Sequence, residues 1–194
     1  MADLSPSLLL GASIVLAALA SSALVVTYSV RTGISPMPST SRARAQVLAA
    51  LPHDCAGPFF ELGSGWGTLA FPLADLFPHC QVIAYELSPL PYLVSKCRQR
   101  LFPRANLLIQ RENFLEVSLA GASVIVCYLC PALMEQLAQK LEAEARPGTL
   151  VVSNTFSFRK WSSEQVHVLT DLYATRVYVY RVPTGDKPAV HSRA

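Results

Sequence analysis

The chain contains 194 residues, of which 52% are hydrophobic and only 15% are charged. This length suits one domain, and a charged fraction below the average of about 25% predicts that part of the chain avoids water. The formal net charge of +3 is too small to indicate a nucleic-acid partner. The five cysteines follow no disulfide framework, which predicts reduced and mostly buried thiols.

The first part of the chain is apolar and contains no charged residue from Leu8 to Val30. Because about 20 apolar residues cross a bilayer core, residues 1–30 are predicted to form an N-terminal transmembrane anchor. A cleaved secretory signal is the alternative, but no Lys or Arg precedes the apolar run. The basic residues that follow it are Arg31, Arg42 and Arg44. The positive-inside bias therefore predicts contact with the lipid bilayer through a single-pass helix, with the rest of the chain on the cytoplasmic side.

The remaining chain divides into three parts by composition. Residues 31–44 are rich in Pro, Ser and Thr and are predicted to form a juxtamembrane linker. Short apolar runs alternate with helical stretches over 45–183, which predicts one folded domain. The tail, 184–194, is predicted to be flexible.

The order of strand and helix patterns predicts the fold. The predicted strands are FFEL, QVIAYE, NLLIQ, SVIVCYL and TLVVSNTF, and the predicted helices span 66–77, 89–101 and 131–145. Nearly continuous apolar strands that alternate with helices are typical of a parallel sheet covered on both faces. The last two runs, VHVLTDLY and RVYVYRV, alternate with period two and predict an antiparallel hairpin. The sequence therefore predicts an α/β fold with a doubly wound, mostly parallel sheet, an antiparallel C-terminal edge hairpin and a preceding transmembrane helix.

Three glycines occupy alternate positions in ELGSGWG, residues 61–67, directly after the first predicted strand. Ligands of open parallel sheets bind beyond the carboxyl ends of the strands, where glycine lets a ligand contact the backbone. The loop is not a dinucleotide fingerprint, because Thr68 replaces the last glycine of G-x-G-x-x-G, and it lacks the Gly-Lys-Ser/Thr of a P-loop. Glu61 favours a cation, so a zwitterionic amino acid would satisfy both this acid and the loop amides.

A second acid, Glu86, ends the next predicted strand in IAYELSP. A carboxylate in this place can accept both hydroxyl groups of a ribose. A solvated strand-end acid is the alternative for Glu86 alone, but its pairing with Glu61 and the glycine loop favours a ligand. An amino acid joined to a ribose indicates S-adenosylmethionine (SAM) as the cofactor.

These motifs resemble those of the seven-stranded class I SAM-dependent methyltransferases, which have a Rossmann-like fold, over about residues 45–182. More narrowly, ELGSG, YELSP, RENF at 111–114 and YLCP at 128–131 are similar to motifs of the small membrane-anchored protein-lysine methyltransferases of mitochondria and their bacterial relatives. The cofactor-binding residues that the resemblance implies are Glu61, Gly63, Ser64, Gly65, Gly67, Glu86, Asn113 and Phe114. Asn113 stands where the family usually has an acid that accepts a hydrogen bond from the adenine amino group, and its amide oxygen can still accept that bond.

The resemblance also implies that the methyl acceptor enters after the fourth predicted strand. Tyr128 is predicted to orient the acceptor nitrogen. The predicted substrate-binding residues are Cys130, Pro131, Asn154 and Trp161. Core packing is the alternative for Phe114 and Phe156, and buried thiols are the alternative for Cys127 and Cys130. The spacing of the His and Cys residues predicts no metal site.

We therefore predict a SAM-dependent methyltransferase that methylates a lysine of a protein in or near the membrane. Two alternatives remain. A lipid or quinone methyltransferase would suit the anchor equally well, and a non-catalytic membrane-anchored SAM-binding module is suggested by Asn113 and by the lack of an evident acid–base pair. The predicted partners are the lipid bilayer and a protein substrate, with neither nucleic acid nor metal.

Overall fold

The computed structural model of the chain describes residues 6–32, 39–52, 54 and 57–183. Helices and strands alternate along most of this range. The helices are α1 (Pro6–Thr32), α2 (Ser41–Ala49), α3 (Ala70–Leu76), α4 (Pro89–Leu101) and α5 (Pro131–Glu144). The strands are β1 (Phe59–Leu62), β2 (Val82–Tyr85), β3 (Leu107–Gln110), β4 (Val124–Cys127), β5 (Leu150–Asn154), β6 (Gln165–Val168) and β7 (Arg176–Arg181).

Within the described residues, the strands form one seven-stranded sheet in the order β3-β2-β1-β4-β5-β7-β6. The strands from β1 to β5 pair in parallel, whereas β7 pairs antiparallel with both β5 and β6. The strand order reverses between β1 and β4, and ligands bind at such a switch point beyond the carboxyl ends of the strands. The predicted α/β fold with a mostly parallel sheet and an antiparallel C-terminal hairpin is therefore confirmed.

The hairpin has a longer turn than the sequence pattern predicts. Residues 169–173, predicted as strand, lie in the turn between β6 and β7. The Asp171 carboxylate accepts a hydrogen bond from the backbone N–H of Thr175 at 2.8 Å, and the N–H of Leu169 donates to the Thr175 carbonyl at 2.8 Å. Because an Asp side chain readily closes a turn in this way, the strand ends before its apolar pattern does.

Side chains alternate across the sheet and fill one apolar cluster on each face. From β1, Phe59 packs with Leu73 of α3 in one cluster, whereas Phe60 and Leu62 pack with Leu137 of α5 in the other. These side chains are at most 5% exposed. Both faces are therefore covered, as a parallel sheet requires, and the carboxyl edge is left to carry the functional groups.

The predicted transmembrane anchor coincides with α1 over most of its length. Within the part of the chain that the structure describes, no helix combines the length and the apolar character that a membrane span requires. The prediction of a transmembrane helix is therefore not supported.

The domain begins earlier than predicted. Helix α2 starts inside the range assigned to the linker, where the Thr40 side chain caps it by accepting the N–H of Ala43 at 3.1 Å. Ala43 and Val47 are each 1% exposed, so α2 is packed onto the domain. Residues 33–38 of the predicted linker, and the predicted tail at 184–194, lie outside the described residues.

Candidate active site

The glycine loop leaves the sheet at its carboxyl edge, between β1 and α3. Gly63, Gly65 and Gly67 have φ values of 73°, 54° and 72°, in the left-handed region that disfavours residues with a Cβ atom. A Cβ atom at Gly67 would also lie 3.1 Å from the Phe71 ring. The sequence therefore needs glycine here both for the backbone conformation and for space.

Hydrogen bonds tie this loop to the end of β2. The Ser64 N–H donates to the Tyr85 carbonyl at 2.9 Å. The Glu86 carboxylate accepts the N–H of Gly65 and the N–H of Ser88, each at 2.7 Å. Each oxygen of this carboxylate retains a second lone pair, so Glu86 can hold the loop and still accept the hydroxyl groups of a ribose.

Glu61 is a buried acid in β1 and is only 5% exposed. Its Oε2 atom has no hydrogen-bond partner among the described residues, and the same is true of the buried Ser64 hydroxyl. Burial is the larger cause, and the charge of Glu86 the smaller, that raises the pKa of Glu61 from 4.5 to about 8. The loop therefore contains a carboxyl group that needs a cation before it can ionise readily.

The two unpartnered groups fit the amino acid part of SAM. An ammonium group beside Glu61 would form a charge-assisted hydrogen bond with its carboxylate, and the Ser64 hydroxyl can donate to a ligand carboxylate. A pyrophosphate in the same place would add negative charge beside the two acids. The donor and acceptor chemistry of the loop thus favours an α-amino acid over a dinucleotide.

Asn113 and Phe114 follow β3 at the same edge of the sheet. The Asn113 Oδ1 atom accepts the N–H of Leu115 at 3.1 Å, and its Nδ2 atom donates to Glu116 at 2.8 Å. Phe114 is 7% exposed and packs in the cluster that faces α5. Asn113 thus closes a local turn with one Oδ1 lone pair to spare, and the adenine-binding roles of both residues stay predictions.

Four of the predicted acceptor-site residues share the carboxyl edge next to the glycine loop. Their common position follows from the register, which pairs Cys127 at the end of β4 with both Leu62 of β1 and Ser153 of β5. The four residues are Tyr128 after β4, Cys130 before α5, Pro131 at the start of α5 and Asn154 at the end of β5.

The cysteines of this region lack the properties of a nucleophile or a metal site. Cys127 is buried, and burial raises the pKa of its thiol to about 12. Among the described residues, no group of three or more His, Cys, Asp or Glu side chains could hold a metal ion. Cys127 is therefore a core thiol.

The structure does not bring Trp161 to the other acceptor-site residues. Its indole N–H donates to Glu142 near the C-terminal end of α5 at 2.7 Å, and its ring packs against Phe158 and Tyr180. Helix α5 begins at the carboxyl edge, so Glu142 lies toward the opposite edge of the sheet. The aromatic contacts of Trp161 are those of a core residue.

Sequence reasoning missed three residues at the acceptor edge. The Asn154 Nδ2 atom donates to the Ser39 hydroxyl at 3.0 Å. Thr155 has a φ of 69°, and the Phe156 ring lies nearly parallel to that of Tyr128, with ring centroids 6.2 Å apart. The composition around Ser39 is typical of a linker, and no local pattern predicts a left-handed Thr. Phe156 had a signal in SNTF, but core packing explained it equally well.

The sheet order, the glycine loop and the two buried acids define a class I SAM-dependent methyltransferase, and comparisons with known proteins agree. A family model described as the ANTKMT methyltransferase domain matches residues 61–165. This chain belongs to that family. A solved RNA methyltransferase from Salinibacter ruber, in complex with S-adenosyl-L-homocysteine, superposes with a TM-score of 0.67 at 22% identity, covering 77% of this chain and 95% of that one. At this identity the superposition shows the fold.

Three curated relatives share about a third of their residues with this chain. The ATP synthase lysine N-methyltransferase of Rattus norvegicus is 31% identical over 73% of this chain and 69% of its own length. A protein-lysine N-methyltransferase of Saccharolobus islandicus is 30% identical over 58% of this chain and 70% of its own. The adenine nucleotide translocase lysine N-methyltransferase of Mus musculus is 30% identical over 81% of this chain and 67% of its own. The protein is therefore a methyltransferase, and its cofactor is SAM.

Proposed function

We propose that this enzyme transfers methyl groups from SAM to the side-chain amine of a lysine in a protein substrate. The observation that carries the proposal is that relatives at 30% and 31% identity, from an archaeon and from a mammal, are both named lysine N-methyltransferases. The acceptor edge supports it, because Tyr128 and Phe156 offer aromatic faces to an alkyl amine.

The reaction needs alignment more than acid–base chemistry. Bound SAM would supply a methyl group activated by a sulfonium: the new N–C bond forms as the S–C bond breaks, and the bonding pair stays on the thioether sulfur. The lysine must first lose a proton, and a partly desolvated acceptor edge favours its neutral form. The Tyr128 hydroxyl can accept an N–H of the amine and so direct the nitrogen lone pair.

The test is transfer of radiolabelled methyl groups from SAM to protein in a cell extract, followed by identification of the labelled amino acid. We expect label in methyl-lysine with the wild-type chain and less than a hundredth of it with Glu61→Gln, which cannot pair with the cofactor ammonium as an anion. Glu164→Gln is the matched control, because Glu164 lies on the surface with its side chain 48% exposed.

Each alternative predicts a different distribution of the label. Label confined to the organic extract would replace the proposal with a lipid or quinone methyltransferase. SAM binding without label in either fraction would indicate a binding module. Label on an amino acid other than lysine would reject the proposed acceptor while leaving the methyltransferase class intact.

We propose separately that the N-terminal region holds the enzyme at a membrane, with the methyltransferase domain on the cytoplasmic side and a protein substrate nearby. The support is the apolar surface of α1, where Leu10, Leu16 and Leu19 are 64%, 66% and 62% exposed. Flotation with liposomes tests it. Replacing these three leucines with Ser is expected to move the chain from the liposome fraction to the aqueous one, and equal partitioning of both proteins would reject the proposal.

A further inference from the structure

The chain turns sharply after β5, and the turn is strained. Thr155 has a φ of 69°, although a β-branched residue is disfavoured in the left-handed region. Its N–H donates to the carbonyl of Arg176 in β7 at 2.7 Å, and the Ser153 hydroxyl donates to the Phe156 carbonyl at 2.6 Å. Strain of this kind persists only where the surroundings fix it, and it concentrates at functional sites.

The strained turn determines where the Phe156 ring lies. The ring is half-buried, and its plane makes an angle of only 16° with that of Tyr128, which follows the neighbouring strand. Two aromatic faces of nearly equal orientation therefore stand side by side at the carboxyl edge, where the acceptor must meet the methyl group. The turn fixes this arrangement, because a residue without strain at position 155 would direct the following side chain elsewhere.

Aromatic faces attract cations, and a methylated lysine side chain is a cation at neutral pH whenever it carries its proton or three methyl groups. An ammonium group interacts with a ring when it lies within about 6 Å of the centroid. Because the two centroids are 6.2 Å apart, one ammonium group can lie within that reach of both rings.

We propose that Phe156 is a second residue of the acceptor site, that it binds the methylated ammonium group together with Tyr128, and that Thr155 positions it. The inference rests on lysine methyl transfer as the proposed function and deepens it. The neutral amine is the nucleophile, whereas the charged methylated amine is what the ring pair retains between reaction and release. Phe156 is thus a specificity-determining residue, and Thr155 is a positioning residue.

The test measures binding without turnover, so that its result is separate from the test of the proposed function. Two probes are titrated by ligand-observed NMR into the chain with S-adenosylhomocysteine present. The first is Nα-acetyl-Nε-trimethyllysine methylamide, and the second is its neutral isostere with carbon in place of the ammonium nitrogen. We expect the charged probe to bind about two- to fivefold more tightly, which corresponds to an exposed cation–π interaction.

Variants assign the preference to the ring pair. Phe156→Leu keeps the apolar volume and is expected to bring the ratio of the two affinities close to one, whereas Phe156→Trp is expected to preserve or increase it. Phe102→Leu is the matched control, because Phe102 is 58% exposed at the C-terminal end of α4, away from the acceptor edge. Retained binding of S-adenosylhomocysteine shows that each variant is folded.

A wild-type ratio of one would overturn the inference, and so would an unchanged ratio in a folded Phe156→Leu variant. Failure of the proposed function has a different signature. The charged probe would keep its advantage, while no methyl label would reach any lysine.

Discussion

Glu61→Gln is expected to stabilise the cofactor-free protein at neutral pH while it weakens cofactor binding. The reason lies in the buried, unpartnered carboxyl group, whose pKa is raised to about 8 by burial and by the charge of Glu86. The folded chain keeps this proton up to about pH 8, but the unfolded chain releases it near pH 4.5. The unfolded state binds fewer protons between these values, so stability falls as the pH rises.

The size of the effect follows from the shift. Each pH unit inside this window removes about 1.4 kcal/mol of unfolding free energy, so the cost is about 3 kcal/mol at pH 7 relative to pH 4.5. A glutamine side chain does not titrate. The difference in stability between Glu61→Gln and the wild type should therefore grow in favour of the variant by about this amount over the same range.

Urea unfolding of the cofactor-free proteins between pH 4.5 and pH 7 measures this difference. Glu164→Gln, the exposed control, should keep a constant difference from the wild type. Stabilities of Glu61→Gln and the wild type that change in parallel would refute the reasoning, because they would mean that Glu61 is already ionised in the folded chain.

Cofactor binding provides an independent check on the same proton. An ammonium group that pairs with Glu61 must displace the proton of the carboxyl, so binding of SAM at pH 7 is expected to release about 0.9 proton. Calorimetric titration in two buffers of different ionisation enthalpy measures that number. Any residual binding by Glu61→Gln should release no proton from this position.

Three further substitutions test other parts of the structure. Gly67→Ala is expected to lower the unfolding free energy by about 2 kcal/mol or more, because it adds a steric conflict to the cost of about 1 kcal/mol for the left-handed conformation that Gly65→Ala carries alone; urea unfolding of the two variants compares them. Trp161→Phe should cost about 1 kcal/mol through the lost indole hydrogen bond and leave the acceptor KM unchanged, and a raised KM would contradict its placement away from the site. Ser39→Ala should leave the buried Asn154 amide without its acceptor, cost about 1 to 2 kcal/mol in thermal unfolding and slow methyl transfer, and full activity would contradict the role of this bond.

The sheet and the cofactor loop could be predicted because their signals are local. Each strand from β1 to β5 is a short apolar run, and the helices between them have their own periodicity. Glu61, the three glycines and Glu86 lie within two strand ends, so their chemistry can be interpreted without knowing any distant contact. The same holds for the hairpin, whose alternation is visible in the sequence although its turn is longer than the pattern indicates.

The acceptor edge could be predicted only in part because its contacts are distant in sequence. The bond from Asn154 to Ser39 joins positions separated by 115 residues, and no local pattern reports it. Trp161 follows β5 closely in sequence, yet its indole group reaches back to Glu142 and so turns toward the core. The left-handed conformation of Thr155 opposes the intrinsic preference of threonine, so only the tertiary structure can impose it.

The places where the chain departs from the preferences of its residues lie at one edge of the sheet. The core follows the expected pattern, with apolar strands between packed helices, whereas an unpartnered acid lies buried on the cofactor side and a left-handed Thr155 lies on the acceptor side. Each departure costs stability, and each has a partner that would offset that cost or use its geometry: an ammonium group for Glu61, and an alkyl amine held by the ring that Thr155 directs. A methyl group moving from the one partner to the other would pass between these two positions, so the distribution of unfavourable features along the carboxyl edge follows the direction of the reaction.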